Sequence, residues 1–485
     1  MNAAPPPRRR VERVRRAERR PATPEAWGRI LFVPPRLLLI FFLVSLIVPV
    51  GFTLVGLQLN PYNSILIVFL IPAFLYWLQH QPRVLVTDVL MLLFILWAGL
   101  AIYHNQGSSR IIFILNQSVT LFGAYVLGRV LVRDAASYRL MFTVLFWMLV
   151  FLFPFALVEL LFKRDLLAMA LGQPGGGGGG PGGTRLGMRR VASVFPHPIL
   201  FGVFCSIMIS NFFYVFHERT GTRLRRTLLA MAMTFMSLSS GPNLSQIGQL
   251  MLIAWERVFR FFVTKWYVMV VTAATTIAIF QLAYPGGLVG FVINNLAFNP
   301  RTGLGRLEIL QYGTLTVLQH PMFGIGLAPW NGPWWRPGSV DNYWMVTALR
   351  YGLPGLGLFW AAIAWHAIRI IGRSRLTEEA ASYRKGYVFA AAGAFFALGA
   401  VHIWGSVAIF ILFYIGAGAW FYTGDAAREP EAPHERLRRQ PLTGAPAAAL
   451  AAALAAAPAP APQRTTGGTR RVLSRRPISR QDLSR

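Results

Sequence analysis

The sequence predicts an all-α polytopic membrane protein. Hydrophobic residues make up 55% of its 485 residues and charged residues only 13%, which is too few charges to cover the surface of a soluble domain of this length. Apolar runs recur along the chain, and a membrane-spanning helix needs roughly 20 mostly apolar residues. We therefore expect a bundle of helices that cross a bilayer.

About twelve apolar segments are candidates for these spans, judged by the length that a bilayer requires. The longer or more apolar ones are Leu37–Leu57, Val89–Tyr103, Leu140–Phe162, Ile199–Phe216, Trp266–Leu282, Tyr343–Ile371 and Tyr387–Trp404. The shorter or more polar ones are Ser64–Leu78, Ile111–Val130, Leu228–Leu238, Leu244–Trp255 and Val407–Phe421.

The distribution of arginine predicts the orientation, because short basic loops stay on the cytoplasmic side. If the basic amino-terminal arm is inside, every second connection is basic, from Arg83 and Arg129 to the segment 369–385. Both termini are then cytoplasmic, and two longer loops lie outside, at about 163–193 and 285–342. Both external loops also carry arginine, which invites a functional interpretation.

The chain divides into three predicted parts. Residues 1–36 form a basic cytoplasmic arm, residues 37–424 the transmembrane domain, and residues 425–485 an Ala/Pro/Arg-rich cytoplasmic tail that we expect to be disordered. The net charge of +29 lies mostly in the two tails and the inside loops, where it faces membrane lipids with anionic headgroups. No folded basic face is apparent, so nucleic acid is not an expected partner.

The first external loop combines a glycine run with arginines. Gly175–Gly180 is a predicted flexible linker. Arg189 and Arg190 follow it, and then His197 between two prolines at the start of a span. Guanidinium groups bind phosphate through paired hydrogen bonds and keep their charge, so they suit a diphosphate. The alternative is that they only anchor the loop to lipid headgroups.

The second external loop contains a predicted helix at Leu307–Leu318, with Arg306 near its start and a stop at His320 and Pro321. Beyond it, Trp334 and Trp335 stand in an aromatic, turn-rich segment. These indoles are suited either to stacking on sugar rings or to an interfacial aromatic belt.

Asp341 and Asn342 stand where the next span begins. A carboxylate here is suited to act as a general base or to hold an acceptor hydroxyl. Asp and Asn are equally typical of helix N-caps. Inside the spans ionisable groups are few, with Asp88 and Glu159 near span ends, whereas ion-coupled transporters usually place such groups near the midplane. A transporter or a flippase for lipid-linked sugars stays open as the alternative function.

Three segments together carry a resemblance to a known family. They are RVASVFPHPILFG from Arg190, GRLEILQYGTLTVLQHPMFGIGL from Gly305, and DNYWMVTALRYGLPGLGLF from Asp341. In order and spacing, the region from about Leu186 to Leu358 resembles the O-antigen ligase and O-antigen polymerase family of bacterial surface-polysaccharide enzymes. Two departures exist: ligases open the last motif with His-Asn rather than Asp-Asn, and a Ser-Arg-Gly motif stands here as Ser239, Ser240 and Gly241.

The resemblance implies a metal-independent membrane glycosyltransferase of GT-C type, without a cofactor, in the bacterial inner membrane. Its donor would be an undecaprenyl-diphosphate-linked glycan, and its acceptor a lipid-linked glycan or lipid A core sugar at the periplasmic face. By motif position, the functional arginines fall on Arg189 or Arg190 and on Arg306. We assign Arg306 and Asp341 as catalytic. The expected substrate-binding residues are Arg189, Arg190, His197, His320, Asn342, Trp334 and Trp335, although both histidines adjoin prolines and suit a structural turn equally well.

Overall fold

The computed structural model describes residues 33–54, 57–80, 83–170, 183–296, 300–335, 338–374 and 376–423. The predictions for most of the basic arm, for Gly175–Gly180 and for the carboxyl-terminal tail lie outside these ranges. Within them the chain is mostly helical, and the strands form two short hairpins.

The amino-terminal half consists mainly of long helices. They are α1 (Pro35–Ser45), α2 (Pro61–His80), α3 (Val86–Gln106), α4 (Ile111–Leu131), α5 (Ala135–Phe162) and the short α6 (Leu166–Ala170). Strands β1 (Phe52–Leu54) and β2 (Leu57–Leu59) pair antiparallel between α1 and α2, and a 3-10 turn at Gly107–Arg110 joins α3 to α4.

The carboxyl-terminal half begins with the hairpin of β3 (Thr184–Arg185) and β4 (Met188–Arg189). The helices that follow are α7 (Pro198–Val215), α8 (Thr220–Met236), α9 (Ser240–Val258), α10 (Lys265–Ala283), α11 (Gly287–Phe291), α12 (Pro300–Gln319), α13 (Tyr343–Ile371), α14 (Glu378–Leu398), α15 (Gly405–Gly418) and α16 (Trp420–Thr423). A π turn, Val292–Leu296, extends α11.

Seven helical stretches of the described chain are long and apolar enough to cross a membrane. They are Pro61–Gln79, Val86–Leu131, Ala135–Phe162, Pro198–Val215, Lys265–Ala283, Tyr343–Ile371 and Gly405–Thr423. The predicted class, a helical protein with several membrane-spanning segments, is therefore confirmed at this level. Each apolar segment proposed as a span also coincides, at least in part, with a helix.

Two of the predicted segments differ from the helices observed. The segment Leu37–Leu57 is helical only to Ser45, after which the chain enters β1. Pro49 lies in the connection and has no N–H to donate to a helical ladder. The segment Tyr387–Trp404 ends as a helix at Leu398, and residues 401–404 are extended. His402 and Trp404 therefore lie outside the helix.

The core is centred on α7, which is almost completely buried and packs against α8, α9 and α14. A second close pair is α4 with α15. There Gly128 faces the carbonyl of Phe413, and Gly416 faces the carbonyl of Tyr125, so closely that a Cβ at either glycine would overlap the facing oxygen. Such reciprocal glycines allow two helix backbones to approach within a membrane.

Helix α13 is broken near its first third, and the break holds the second loop in place. Gly352 has φ 70° there and Pro354 follows, a combination that interrupts helical hydrogen bonding. Leu353 N donates to Pro321 O at 2.8 Å, and Ile325 N donates to Leu349 O at 2.7 Å. The turn that contains the His-Pro-x-x-Gly-x-Gly pattern is thus bonded to the exposed backbone of the break.

Helix α10 contrasts with the other spans because none of its residues is buried. It leads through α11 and the π turn towards α12, which carries Arg306. The first turn of α10 still contacts the bundle, where Lys265 pairs with Glu256 and Trp266 lies against Phe389, while α12 packs against α13.

Candidate active site

The hairpin β3–β4 presents the arginines of the first loop. Leu186 and Gly187 both have positive φ, 53° and 75°, as in the two-residue turns that match strand twist. Arg185 donates from Nη1 to Leu238 O at 2.8 Å. Val191 N donates to Met236 O at 3.1 Å. The hairpin is therefore fixed to the connection between α8 and α9.

Arg190 follows the hairpin and lies inward. It is 8% exposed, and its Nη2 donates to Ser239 Oγ at 2.8 Å. Its Nε is buried without a hydrogen-bond partner in the described structure. A buried guanidinium with donors to spare is costly unless an acceptor binds there, so Arg190 is suited to an anionic ligand.

Arg189 has different partners from Arg190, and they lie at the end of α5. Its Nη1 donates to Lys163 O at 2.9 Å, and its Nε lies 3.5 Å from Glu159 Oε1. The Glu159 carboxylate also accepts from the N–H groups of Ala192 and Ser193, at 3.1 and 2.9 Å. Sequence reasoning left Arg189 and Arg190 as alternatives for the substrate; the structure places Arg189 in a contact that fixes the loop to α5.

Arg306 comes from the second loop, and its charge acts on two arginines of the first loop, Arg185 and Arg190. The helix predicted to begin at Leu307 in fact begins at Pro300, so Arg306 lies in its second turn. The Nε of Arg306 is also buried without a hydrogen-bond partner in the ranges described. Burial lowers the pKa of Arg185, and the positive charge of Arg306 lowers it further.

The pKa of Arg190 responds to the same neighbours. Burial lowers it to about 10, with additional lowering by the charges of Arg185 and Arg306 and an opposing effect of Asp341. All three guanidinium groups stay protonated at neutral pH. We call Arg185, Arg190 and Arg306 the arginine cluster. It was not visible in the sequence, where Arg185 and Arg306 are separated by several spans.

Asp341 is the carboxylate whose charge acts on two members of this cluster, Arg190 and Arg306. Its charge raises the pKa of Arg306 and of Arg190 against the lowering that burial causes. The neighbouring Asn342 has a different role, because its Oδ1 accepts from Met345 N at 3.0 Å and caps α13. The sequence left open whether this pair caps the helix or acts on a substrate. Asn342 is the residue that caps α13, so the Asp341 side chain is not used as the cap.

His197 lies at the start of α7, where its Nδ1 accepts from Ile199 N at 3.2 Å. Burial lowers the pKa of His197, and the charge of Arg190 lowers it further, while Asp341 opposes this shift. The imidazole is therefore neutral at pH 7. Because Nδ1 is an acceptor, the proton lies on Nε2.

The remaining predicted residues lie outside this group. His320 is exposed in the turn after α12, and its carbonyl accepts from Gly324 N at 3.0 Å. Trp334 is 91% exposed and Trp335 56% exposed. Trp335 lies 5.8 Å from Trp334 and 6.5 Å from Tyr312, between ring centroids. The structure therefore does not join His320 or these indoles to the arginine cluster.

A pocket of about 370 Å³ opens beside Asp341. Its polar and aromatic wall is formed by Trp330, Asp341, Arg350, His402 and Trp404. Sequence reasoning missed Arg350, His402 and Trp404. The last two were hidden because the run to Trp404 was interpreted as a span; the available signal was a histidine between Gly399 and Gly405.

Metal-binding groups of three or more His, Cys, Asp or Glu side chains do not occur among the residues described. No protein-family model matches this sequence, and no curated protein matches it either.

Proposed function

We propose that this protein transfers a glycan from an undecaprenyl-diphosphate carrier at the periplasmic face of the bacterial inner membrane. It would act as a surface-polysaccharide or exopolysaccharide polymerase or as an O-antigen ligase. The observation that carries the proposal is the arginine cluster, in which the charges of Arg185 and Arg306 act on the buried Arg190, and the Asp341 carboxylate acts on Arg190 and Arg306. About twelve spans, a GT-C-type arrangement and cytoplasmic termini belong to the same proposal.

Charge supports a diphosphate as the ligand of the cluster. Three guanidinium groups and one carboxylate leave an excess of positive charge in a partly buried place, and a compact anion of high charge offsets it best. Arginine is well suited to phosphate because its planar fork forms two parallel hydrogen bonds. The unpartnered Nε atoms of Arg190 and Arg306 supply donors for such bonds.

The proposed reaction is a displacement at the anomeric carbon of the donor sugar. An acceptor hydroxyl oxygen forms a bond to that carbon, and the bond from the carbon to the diphosphate oxygen breaks. The electron pair of the broken bond goes to the diphosphate, where the arginines stabilise the developing charge. The hydroxyl proton goes to the Asp341 carboxylate, which acts as general base. The neutral His197 is placed to orient a hydroxyl or a phosphate oxygen through Nε2–H.

The experiment begins in cells of the source bacterium that lack the gene. Accumulated single repeat units at the periplasmic face would indicate a polymerase, and unligated polymer a ligase. Units retained at the cytoplasmic face would instead indicate a flippase and overturn the proposal.

The second part uses purified protein in lipid nanodiscs with lipid-linked glycan extracted from those cells. Release of undecaprenyl diphosphate should slow about 10²- to 10³-fold in Arg306→Ala, as for removal of one electrostatic donor at a reacting centre. Arg83→Ala, an exposed arginine outside the cluster, is the matched control and should leave the rate unchanged. Equal rates in Arg306→Ala and the wild type would contradict the assignment.

A further inference from the structure

The pocket beside Asp341 differs in chemistry from the arginine cluster. It holds one cation, Arg350, together with the imidazole of His402 and two indoles, Trp330 and Trp404. Its volume of about 370 Å³ lies within the range of roughly 300–1,000 Å³ for small-molecule sites. Asp341 belongs both to the pocket wall and to the surroundings of the arginines, so the two regions meet at this carboxylate.

The two indoles are held by different contacts. Trp330 is 9% exposed, and its Nε1 donates to Gly338 O at 3.0 Å. Trp404 is stacked near His402, with ring centroids 5.6 Å apart and an angle of 29°. Its centroid also lies 6.1 Å from that of His197. Aromatic surfaces of this kind suit the apolar C–H face of a pyranose ring.

The polar groups of the pocket are open to a ligand. The imidazole of His402 lines the pocket, and its Nδ1 atom is buried without a hydrogen-bond partner in the described part of the chain. Burial lowers the pKa of His402 to about 4, and the charge of Arg350 contributes; the imidazole is neutral and suited to a hydroxyl. Arg350 is half-buried and lines the pocket.

We infer that this pocket is the acceptor subsite, and that it holds the terminal sugar of the acceptor glycan with its ring against Trp404 and Trp330 and its hydroxyls bonded to Asp341, His402 and Arg350. The inference rests on the proposed glycosyl transfer. It assigns a binding role to the connection between α14 and α15, which lies outside the region that resembles the known family. It also places an acceptor hydroxyl beside Asp341. The hydroxyl approaches this carboxylate from the pocket, whereas the diphosphate is bound by the arginine cluster.

The test separates the two halves of the site by using two probes with the purified protein in nanodiscs. One probe is undecaprenyl diphosphate without a glycan. The other is the repeat-unit oligosaccharide released by mild acid from the lipid-linked glycan of the deletion cells. Affinity for each is measured by titration for the wild type, His402→Gln, Trp404→Leu and Arg306→Ala. Trp147→Leu removes an exposed indole from α5 and serves as the matched control.

We expect His402→Gln and Trp404→Leu to weaken oligosaccharide binding about tenfold or more, as loss of one good contact of roughly 1.4 kcal/mol would. Their affinity for undecaprenyl diphosphate should stay within about twofold of the wild type, which also shows that they are folded. Arg306→Ala should give the reverse pattern, and Trp147→Leu should change neither affinity.

Unchanged oligosaccharide affinity in both pocket variants would overturn the inference. So would a wild type that binds undecaprenyl diphosphate but not the oligosaccharide, and in both cases the proposed function would stand. Oligosaccharide binding that depends on the pocket, in a protein without affinity for undecaprenyl diphosphate, would support a sugar site and overturn the proposed donor. Failure to bind either probe would overturn both.

Discussion

Arg190 donates a hydrogen bond of 2.8 Å to Ser239 Oγ, across 49 residues of sequence. Ser239 immediately precedes α9, and its own hydroxyl donates to Ser237 O at 3.0 Å. The arginine that precedes α7 is thus held by the connection between two helices of the bundle. A guanidinium fixed in this way has less freedom to lose when an anion binds, which favours tight binding and fast transfer.

From the Arg190–Ser239 hydrogen bond we predict that Ser239→Ala slows glycan transfer. Ser239 acts only by positioning Arg190 and does not itself contact the substrate. A hydrogen bond to a charged group contributes about 1.5–3 kcal/mol, and only part of this is expressed in orientation, so we expect kcat/KM to fall about tenfold. The thermal unfolding temperature should also fall, because Nη2 of the buried Arg190 loses its acceptor. Ser45→Ala, which removes the buried hydroxyl that donates to Phe42 O at 2.6 Å within α1, should leave kcat/KM as it is; an equal loss in both variants would contradict the positioning role.

Arg189 and Arg190 are neighbours with opposite roles, so exchanging each for methionine gives a matched pair. Arg189→Met leaves the carboxylate of Glu159, which is 1% exposed, without its nearest cation. Stability should then fall by about 1–3 kcal/mol, seen as a lower unfolding temperature, with transfer by the folded protein maintained. Arg190→Met should abolish donor binding at nearly unchanged unfolding temperature. The assignment of roles would be wrong if Arg189→Met lost donor affinity as strongly as Arg190→Met.

Asp341 and Asn342 offer a second pair. Asn342→Ala removes the cap of α13 and should lower stability by about 0.5–2 kcal/mol, whereas Asn342→Asp keeps an acceptor for Met345 N and should restore it. Asp341→Asn keeps the size of the side chain but removes its base, so transfer should fall by about 10²-fold or more at unchanged unfolding temperature. Full transfer activity in Asp341→Asn would exclude this carboxylate as the general base.

The lowered pKa of His402 leads us to predict that the stability of the folded protein depends on pH. Its pKa is lowered to about 4 in the folded protein, while in the unfolded chain it is about 6.5. Between these values the unfolded state binds the additional proton, so the folded state loses stability as the pH falls from about 6.5 towards 4. The unfolding temperature of the wild type should therefore fall more steeply across this window than that of His402→Gln. Parallel curves for the two proteins would show that His402 does not carry this charge difference.

Much of the fold was predictable because it depends on local composition. Apolar runs such as Ala135–Phe162 and Pro198–Val215 form helices whatever their neighbours are, since a bilayer leaves no other partner for the backbone. Helix ends were less predictable. The extended segment before Gly405 looked like the end of a span, because hydropathy alone does not distinguish an apolar extended strand from an apolar helical turn.

The candidate site divides in the same way. Arg306 and Asp341 stood out from the sequence because charged residues are rare between apolar segments. Their meeting with Arg185 and Arg190 was not visible there, since it depends on a hairpin fixed to Leu238 and on a turn bonded to the break of α13. The separate roles of Arg189 and Arg190 depend on tertiary contacts, because Glu159 on α5 lies close to Arg189 and Ser239 lies close to Arg190.

The sequence by itself determined that this is a helical membrane protein and that arginines accumulate in two of its longer loops, because both properties are carried by composition and order along the chain. The tertiary structure decided which arginines share Asp341 and that His402 and Trp404 line a pocket beside it. These relationships join residues from distant segments. They depend on helix packing and on a few specific hydrogen bonds, such as that from Arg190 to Ser239, which no local pattern encodes.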